Sequence, residues 1–338
     1  MKAWQLTDTK GIESYELNDV EEPEPGADEI RVSISHSALN HLDLWVSQGL
    51  PAPKHLPHIG GADGAGRVDA VGDNVSGFEI GDEVIIDPSF SCGQCSLCRN
   101  DDVVYCDSFQ ILGEHRPGTF TEKIVIPTIN AVRKPSAMPW EIAGSFGLVT
   151  ATALRMMERA ALKPEQTLLV VGVGGGVSAA AMQLGLAMRT RVYVTSRSQD
   201  KIDWAVDQGA AGGFLSDAEF GAEMSSLGGA DVIIENVGPA TIRQSMRAAK
   251  KGGKIAICGA TSGPTMDLTL PALFFRQLEL IGSSMANHAQ FARATTWVGT
   301  VGAKAPVGKV FDFTDLPAAL EYLESGDQLG KVVLRHPG

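Results

Sequence analysis

Hydrophobic and polar positions follow two different patterns along the chain, and the change falls near Pro135. Before it, short β-prone segments alternate with turn sequences rich in glycine, proline and acidic residues. The clearest segments are 29–35, 66–71, 82–87 and 122–127. Such segments between turn signals are typical of antiparallel strands. The first part of the chain therefore predicts a β-rich domain.

After Pro135, predicted strands and helices alternate. Runs of valine, isoleucine and leucine predict strands over 168–172, 191–195, 231–236, 254–259 and 278–282. The intervening segments predict helices over 177–188, 199–208 and 240–250. Apolar runs suit strands buried on both faces, and repeated βα units imply right-handed crossovers. This part predicts an α/β domain with a doubly wound parallel sheet. The pattern weakens after Ser284, and the tail over 330–334 again predicts β structure that returns to the first domain.

Composition narrows the class of protein. A length of 338 residues suggests two domains, and 44% hydrophobic with 20% charged residues is ordinary for a chain with a large core. A net charge of −12 argues against nucleic acid and anionic membranes as partners. The five cysteines are too few for a disulfide framework, and the start lacks the apolar run of a signal peptide. We expect a protein of the reducing cytoplasm.

One uncharged stretch, 167–188, has the length of a membrane span. Its middle holds Gly172, Gly174, Gly175 and Gly176, which make a poor helix core. A strand, a glycine turn and a helix explain the stretch better, so no membrane segment is expected.

The same glycines and Val177 lie between a predicted strand and a predicted helix, which is the context of a dinucleotide-binding turn. Glycine permits the tight turn and close approach of a pyrophosphate, and the helix N-terminus offers free N–H groups. Val177 stands where the third glycine of the motif falls in one register, so the match is imperfect. The alternative is a tight βα turn without a ligand.

The end of the next predicted strand indicates which dinucleotide binds. NAD sites usually place a carboxylate there for the ribose hydroxyl. This chain instead has Ser196 and Arg197, with Lys201 one turn later. A guanidinium pairs well with a 2′-phosphate, which favours NADPH. The alternative is that Arg197 is a solvated surface residue.

Four of the cysteines form a C-x2-C-x2-C-x7-C cluster: Cys92, Cys95, Cys98 and Cys106. Four thiolates close a tetrahedron around zinc and leave no position for substrate, so such a site is structural. Spacing alone also allows an iron–sulfur cluster, a redox pair or free thiols. A β-rich domain followed by a nucleotide-binding fold favours zinc. Cys258 stands apart and is expected to be a buried thiol.

Taken together, the chain resembles the medium-chain dehydrogenase/reductase superfamily over essentially its whole length. The motifs that carry the resemblance are 40–44, 60–68, 71–84, the four cysteines, 118–122 and 330–333. The resemblance implies a GroES-like catalytic domain over 1–145 and 284–338, with a structural zinc lobe at about 90–108. It also implies a Rossmann cofactor domain over 146–283 and an active site in the cleft between them.

The chain departs from zinc alcohol dehydrogenases at their catalytic metal. Where those enzymes carry cysteine, histidine and usually cysteine, it has Asn40, Ala62 and Phe146, and Leu42 replaces the hydroxyl that relays a proton. Alanine and phenylalanine cannot bind zinc. The stretch around Asn40 resembles the quinone oxidoreductase branch, which works without a catalytic metal, although most of that branch lacks the cysteine lobe.

Without a Lewis acid, hydride delivery to a simple ketone loses several kcal/mol of oxyanion stabilisation. The sequence therefore favours NADPH-dependent reduction of enones, enals or quinones, with Asn40 and Asp43 orienting cofactor and substrate and Asp63 supporting the cleft. The roles of His41 and His115 stay open, and solvent is the expected proton donor.

The resemblance further places Thr150, Ser283 and Ser284 beside the nicotinamide and implies a small-molecule substrate and a homodimer or homotetramer. Two alternatives to the reductase reading remain. One is an alcohol or aldehyde dehydrogenase that works by a zinc-free route, and the other is a catalytically silent NADPH-binding protein.

Overall fold

The computed structural model describes residues 1–217, 219–301 and 307–337. The chain forms two compact units. Unit 1 comprises Met1–Leu148, Ala286–Gly299 and Ala305–Gly338, and unit 2 comprises Val149–Met285 and Thr300–Lys304.

The strands, numbered in chain order, are β1 Lys2–Leu6, β2 Tyr15–Asp19, β3 Glu29–Ala38, β4 His58–Ile59, β5 Asp63–Val71, β6 Glu83–Ile86, β7 Ser89–Phe90, β8 Gln110–Ile111, β9 Lys123–Pro127, β10 Ala131–Arg133, β11 Thr167–Val170, β12 Arg191–Ser196, β13 Gly212–Leu215, β14 Ala230–Glu235, β15 Ala249–Ile257, β16 Glu279–Gly282, β17 Val307–Asp312 and β18 Lys331–Arg335.

The α-helices are α1 His41–Ser47, α2 Ser96–Arg99, α3 Trp140–Ala143, α4 Gly147–Arg159, α5 Gly176–Ala187, α6 Gln199–Asp207, α7 Phe220–Ser226, α8 Ile242–Ala248, α9 Leu270–Phe275, α10 His288–Thr296 and α11 Leu316–Ser325.

Unit 2 is built on a parallel sheet with the strand order β13-β12-β11-β14-β15-β16. This is the order of a doubly wound dinucleotide-binding sheet, in which the direction of winding reverses between the first and fourth strands. Leu168 and Val170 are fully buried, as expected for a strand covered by helices on both faces. The predicted α/β fold is confirmed.

Several elements of unit 2 differ from the sequence prediction. Helices α4, α7 and α9 were not predicted. Strand β13 was not predicted either, because it begins with Gly212 and Gly213 and lacks an apolar run. Strand β15 begins five residues before the predicted 254, since Ala249 already pairs with Ala230 ahead of a register shift. The sequence had assigned residue 249 to the preceding helix.

Unit 1 contains the β-rich fold, with the strand order β10-β6-β5-β3-β18-β17 in its main sheet and β9 paired with one end of β3. Strand β18 pairs antiparallel with β3, so the tail of the chain lies beside a strand from its first forty residues. The discontinuous β-rich domain is therefore confirmed. A cluster that includes Leu39, Phe120 and Leu334 forms one of its cores.

The uncharged stretch over 167–188 folds as β11, the glycine turn and α5. Among the described residues, no helix has the length and apolar character needed to cross a membrane.

A buried histidine makes the stability of unit 1 depend on pH. His336 is 5% exposed, its Nε2 lies 2.8 Å from the Ser37 hydroxyl, and its Nδ1 has no partner among the described residues. Burial lowers the pKa of His336 from 6.5 to about 3. Below pH 6.5 the unfolded chain therefore binds a proton that the folded chain refuses, so the free energy of unfolding falls as the solution is acidified.

At pH 5 the expected loss from His336 is about 2 kcal/mol, at roughly 1.36 kcal/mol per pH unit below 6.5. Urea unfolding at pH 7 and pH 5 measures it. His336→Gln does not titrate and should lose less stability between the two values, whereas the exposed-site control His55→Gln should behave as the parent does. Equal pH dependence in all three proteins would contradict the assignment.

Candidate active site and metal centre

Three neighbouring strands of unit 1 bring one amide, one carboxylate and one ammonium together. Strand β3 lies between β5 and β18, with Ala38 opposite Asp63 on one side and opposite Val333 on the other. Asn40 lies two residues after the end of β3, while Asp63 and Lys331 begin their strands. The register of the two pairings therefore gathers Asn40, Asp63 and Lys331 at one end of the sheet. We call these three residues the polar triad.

The polar triad is closed by hydrogen bonds. Lys331 Nζ donates to Asn40 Oδ1 at 2.5 Å and to Asp63 Oδ2 at 2.9 Å, and Asn40 Nδ2 donates to Asp63 Oδ2 at 3.0 Å. The other carboxylate oxygen, Asp63 Oδ1, accepts from the backbone N–H of Leu148 at 2.7 Å. Relative exposures are 7% for Asn40, 1% for Asp63 and 3% for Lys331. A buried charge of either sign is costly unless it is paired, and here each charge has its partner.

Asp43 supports the triad from helix α1. Its Oδ2 accepts from the backbone N–H of Asn40 at 2.7 Å, and its Oδ1 accepts from that of Gly61 at 3.0 Å. Full burial raises the pKa of Asp43 to about 6, although both N–H donors oppose the rise. Asp43 thus ties the start of α1 to the segment that leads into β5. All three predicted catalytic residues, Asn40, Asp43 and Asp63, lie in this one network.

Two of the three positions that hold the catalytic metal in zinc enzymes are apolar. Ala62 and Phe146 are both fully buried, and the Phe146 ring stacks on Phe291 with centroids 6.3 Å apart. Leu42 packs against the core cluster that contains Leu39. Among the described residues, the four clustered cysteines form the single group of three or more candidate ligands that can hold a metal ion.

The two histidines whose roles the sequence left open lie in different environments. Burial, with a contribution from Lys331, lowers the pKa of His41, whose ring lies 6.4 Å from that of Trp45. His115 Nδ1 accepts from the backbone N–H of Ile111 at 3.1 Å, which is a structural contact.

The four cysteine sulfurs fit a tetrahedral metal. All lie within 4.8 Å of one another, and three sulfur–sulfur distances are 3.7 Å for Cys92–Cys98, 3.4 Å for Cys95–Cys98 and 3.6 Å for Cys92–Cys106. Zn–S bonds of about 2.3 Å in a tetrahedron require sulfurs about 3.8 Å apart. Backbone N–H groups of Gln94 and Cys95 also lower the pKa of the Cys92 thiol to about 6, which favours the thiolate that metals bind.

In unit 2, the glycine turn has the features of a phosphate-binding turn. Gly172 and Gly174 have φ of +76° and +123°, and a Cβ on Gly174 would lie 2.8 Å from Lys201 Cδ. Helix α5 begins at Gly176 without a side-chain cap, so its first N–H groups are available to a pyrophosphate. Gly175 precedes it, and Val177 follows in the first turn of α5. Lys201 thus lies against the turn, as a phosphate ligand requires.

The end of β12 is tied to that turn. The backbone N–H of Gly172 donates to Thr195 Oγ1 at 3.1 Å, and that of Val173 donates to Thr195 O at 2.7 Å. Ser196 Oγ is buried and accepts from the N–H of Ser198, which leaves its O–H to donate. Arg197 is exposed and forms no ion pair within the described part of the chain.

The residues expected beside the nicotinamide differ in how far they are buried. Thr150 is buried in α4, and Ser283 is 8% exposed with an Oγ that has no partner among the described residues. An orphaned buried hydroxyl after β16 fits a polar ligand group at this edge of the sheet. Ser284 is exposed. The residues present in unit 2 therefore fit a dinucleotide.

Lys331 is the site residue to which sequence reasoning gave no role. Its signal was present, because a lone lysine directly precedes the apolar strand Val332, Val333 and Leu334. A lysine at a strand start is ordinarily solvated, so the pattern alone gave no reason to place it at a buried site.

Comparisons with known proteins agree with this architecture. A family described as alcohol dehydrogenase GroES-like domain matches residues 26–136, and one described as zinc-binding dehydrogenase matches residues 176–300. The chain belongs to the medium-chain dehydrogenase/reductase superfamily, and it is an oxidoreductase.

Similar proteins cover nearly the whole chain. Alcohol dehydrogenase 1 of Emericella nidulans is 30% identical, over 93% of this chain and 92% of its own. Acryloyl-coenzyme A reductase of Sulfurisphaera tokodaii is 26% identical, over 96% of this chain and 97% of its own. The crystal structure of an NAD-dependent alcohol dehydrogenase has a TM-score of 0.96 at 37% identity and covers 99% of each chain.

Proposed function

We propose that this protein is an NADPH-dependent reductase that delivers hydride to a C=C bond conjugated to a carbonyl, or to a quinone, without a catalytic zinc. The observation that carries the proposal is the polar triad together with the apolar residues Ala62 and Phe146. The Asn40 amide stands where zinc enzymes of the superfamily carry a metal ligand, and the Lys331 ammonium is hydrogen-bonded to it. Hydrogen-bond donors, rather than a Lewis acid, are therefore available to a substrate oxygen.

A conjugated acceptor suits such a site. When hydride adds to the β-carbon, negative charge develops on the distant carbonyl oxygen, where a fixed N–H can stabilise it. The α-carbon then takes a proton, for which solvent is the proposed donor. A simple ketone would need stronger polarisation, which zinc supplies in related enzymes. The likeness to an acryloyl-coenzyme A reductase supports this substrate class and adds unsaturated acyl thioesters to it.

Bound NADPH would supply the hydride. Gly172, Gly174, Gly175, Gly176 and Val177 would cradle the pyrophosphate at the start of α5, in the manner of other dinucleotide-binding turns. Ser196, Arg197 and Lys201 would hold the 2′-phosphate, while Thr150, Ser283 and Ser284 would line the nicotinamide.

One zinc per subunit, held by the four cysteines, would stabilise the lobe at about 90–108. It would take no part in the chemistry, because four sulfur ligands complete its coordination.

The second candidate function is alcohol oxidation by a zinc-free route, which the likeness to two alcohol dehydrogenases favours. A panel of alkenals, quinones, 2-enoyl thioesters and primary alcohols, assayed with NADPH and NADP⁺, separates the two. We expect turnover of the conjugated acceptors and little oxidation of alcohols. Alcohol oxidation that mild chelation abolishes would contradict the proposal. Tight NADPH binding without turnover of any substrate would favour a catalytically silent protein instead.

We further propose a homodimer or homotetramer. Within the described residues, β16 has a neighbour on one side only, and the adjoining helix α9 exposes Leu270, Phe274 and Phe275. An open strand edge beside exposed aromatic side chains suits association with a second copy.

A further inference from the structure

We propose that Lys331 is a positioning residue for the reduction: its ammonium fixes the side-chain amide of Asn40 so that an N–H faces the substrate oxygen. This inference rests on the proposed function and assigns a role to a residue outside the predicted catalytic set.

Donor and acceptor chemistry fixes which way the amide points. An ammonium has only hydrogens to offer, so Lys331 Nζ, 2.5 Å from Asn40, can bond only to the amide oxygen. A carboxylate offers only lone pairs, so Asp63 Oδ2 can bond only to the amide nitrogen. The opposite orientation of Asn40 would set N–H against ammonium and oxygen against carboxylate. Neither contact would be a hydrogen bond, and both would be repulsive.

One hydrogen of the amide remains after these contacts. The nitrogen of an asparagine side chain carries two N–H groups, and Asp63 takes one of them. The ammonium on the amide oxygen also draws electron density from the nitrogen, which strengthens the remaining N–H as a donor. Lys331 therefore orients the donor and polarises it without touching substrate itself.

Electrostatic balance supports the arrangement. Asp63 receives Lys331 Nζ, Asn40 Nδ2 and the Leu148 N–H, so its charge is well compensated inside the protein. Asp63 therefore holds Lys331 as well as Asn40. The pair is nearly inaccessible, with side-chain exposures of 4% for Lys331 and 1% for Asp63, which keeps both contacts unscreened by water.

The first test is kinetic, with the best substrate found in the panel. Lys331→Met should lower kcat by about 10- to 100-fold, a part of the effect of removing an oxyanion donor, and leave the NADPH Michaelis constant within about twofold. Lys331→Arg, which keeps the charge, should recover part of the loss. The matched control is Lys309→Met, an exposed lysine on the neighbouring strand β17, which should match the parent.

A double-mutant cycle shows whether Lys331 acts through Asn40. In an Asn40→Ala background, Lys331→Met should lower kcat by less than about threefold further, because the group it positions is already gone. Full additivity of the two losses would overturn the proposal. If Lys331→Met fails to fold because Asp63 is left unpaired, Lys331→Met combined with Asp63→Asn removes both charges and should still show the low kcat.

The second test does not depend on the substrate class. In protein labelled with ¹⁵N-asparagine, the Asn40 side-chain signals are identified by their loss in Asn40→Asp. We expect these amide hydrogens to exchange slowly with solvent in the parent and faster in Lys331→Met. If no substrate of the panel turns over but the Asn40 amide hydrogens still exchange faster in Lys331→Met than in the parent, only the proposed substrate class is rejected. Identical Asn40 exchange in the parent and in Lys331→Met would overturn the positioning role.

Discussion

Replacing Cys106 by serine is expected to remove the bound zinc and lower the midpoint of thermal unfolding by about 10 °C or more. Structural zinc contributes roughly 10 kcal/mol to the folding of small zinc-binding peptides. About 1 kcal/mol moves the midpoint by roughly 2–4 °C in a domain of 150–250 residues. Losing even half of the zinc contribution would therefore lower the midpoint by an easily measured amount. Cys106 is the most buried of the four cysteines, and its Sγ also accepts from the N–H of Ser108 at 3.4 Å.

Elemental analysis and differential scanning calorimetry measure the two effects. Cys258→Ser is the matched control, because Cys258 lies outside the cluster and burial raises the pKa of its thiol to about 12. That variant should keep one zinc per subunit. Two zincs in the parent, iron in place of zinc, or full zinc occupancy in Cys106→Ser would each contradict the assignment.

Replacing Arg197 by alanine is expected to raise the Michaelis constant for NADPH by about 10- to 100-fold and leave that for NADH nearly unchanged. Hydrogen bonds to charged groups contribute about 1.5–3 kcal/mol, and each 1.4 kcal/mol is tenfold in affinity. NADH lacks the 2′-phosphate, so it has no such contact to lose. Steady-state kinetics with both cofactors gives the comparison.

The control for this substitution is Arg191→Ala, since Arg191 is an exposed arginine at the opposite end of the same strand, β12. It should change neither constant. A parent enzyme that prefers NADH, as the likeness to an NAD-dependent alcohol dehydrogenase allows, would refute the role given to Arg197. So would an equal rise for both cofactors.

Local patterns predicted most of the fold. The buried strands β11, β12 and β14 consist of apolar runs, because each packs under helices on both faces, and their positions agree with the predictions within one or two residues. Strand β13 escaped because Gly212 and Gly213 carry no apolar signal, and its place is set by pairing with β12. Tertiary pairing there decides what local propensity does not.

The two candidate sites also differ in whether local sequence or tertiary pairing determines them. The cysteine cluster could be predicted because its ligands lie within fifteen residues, so spacing alone limits their geometry. The polar triad could be predicted only in part. Asn40 and Asp63 belong to recognisable motifs, but the role of Lys331 depends on the register of β18 against β3, which no local pattern encodes.

The distant origin of Lys331 also orders the assembly of the protein during synthesis. Lys331 and Asn40 are 291 positions apart, whereas most of unit 2 is one continuous stretch, Val149–Met285. A ribosome that releases the chain from its N-terminus lets that stretch fold before β18 exists. Until then, the end of β3 that pairs with β18 keeps unpaired backbone groups on that side, an open edge to which other extended chains can add. Asp63 meanwhile lacks its ammonium, so β18, which is synthesised long after β3, both covers that edge of β3 and pairs the charge of Asp63 at the candidate site.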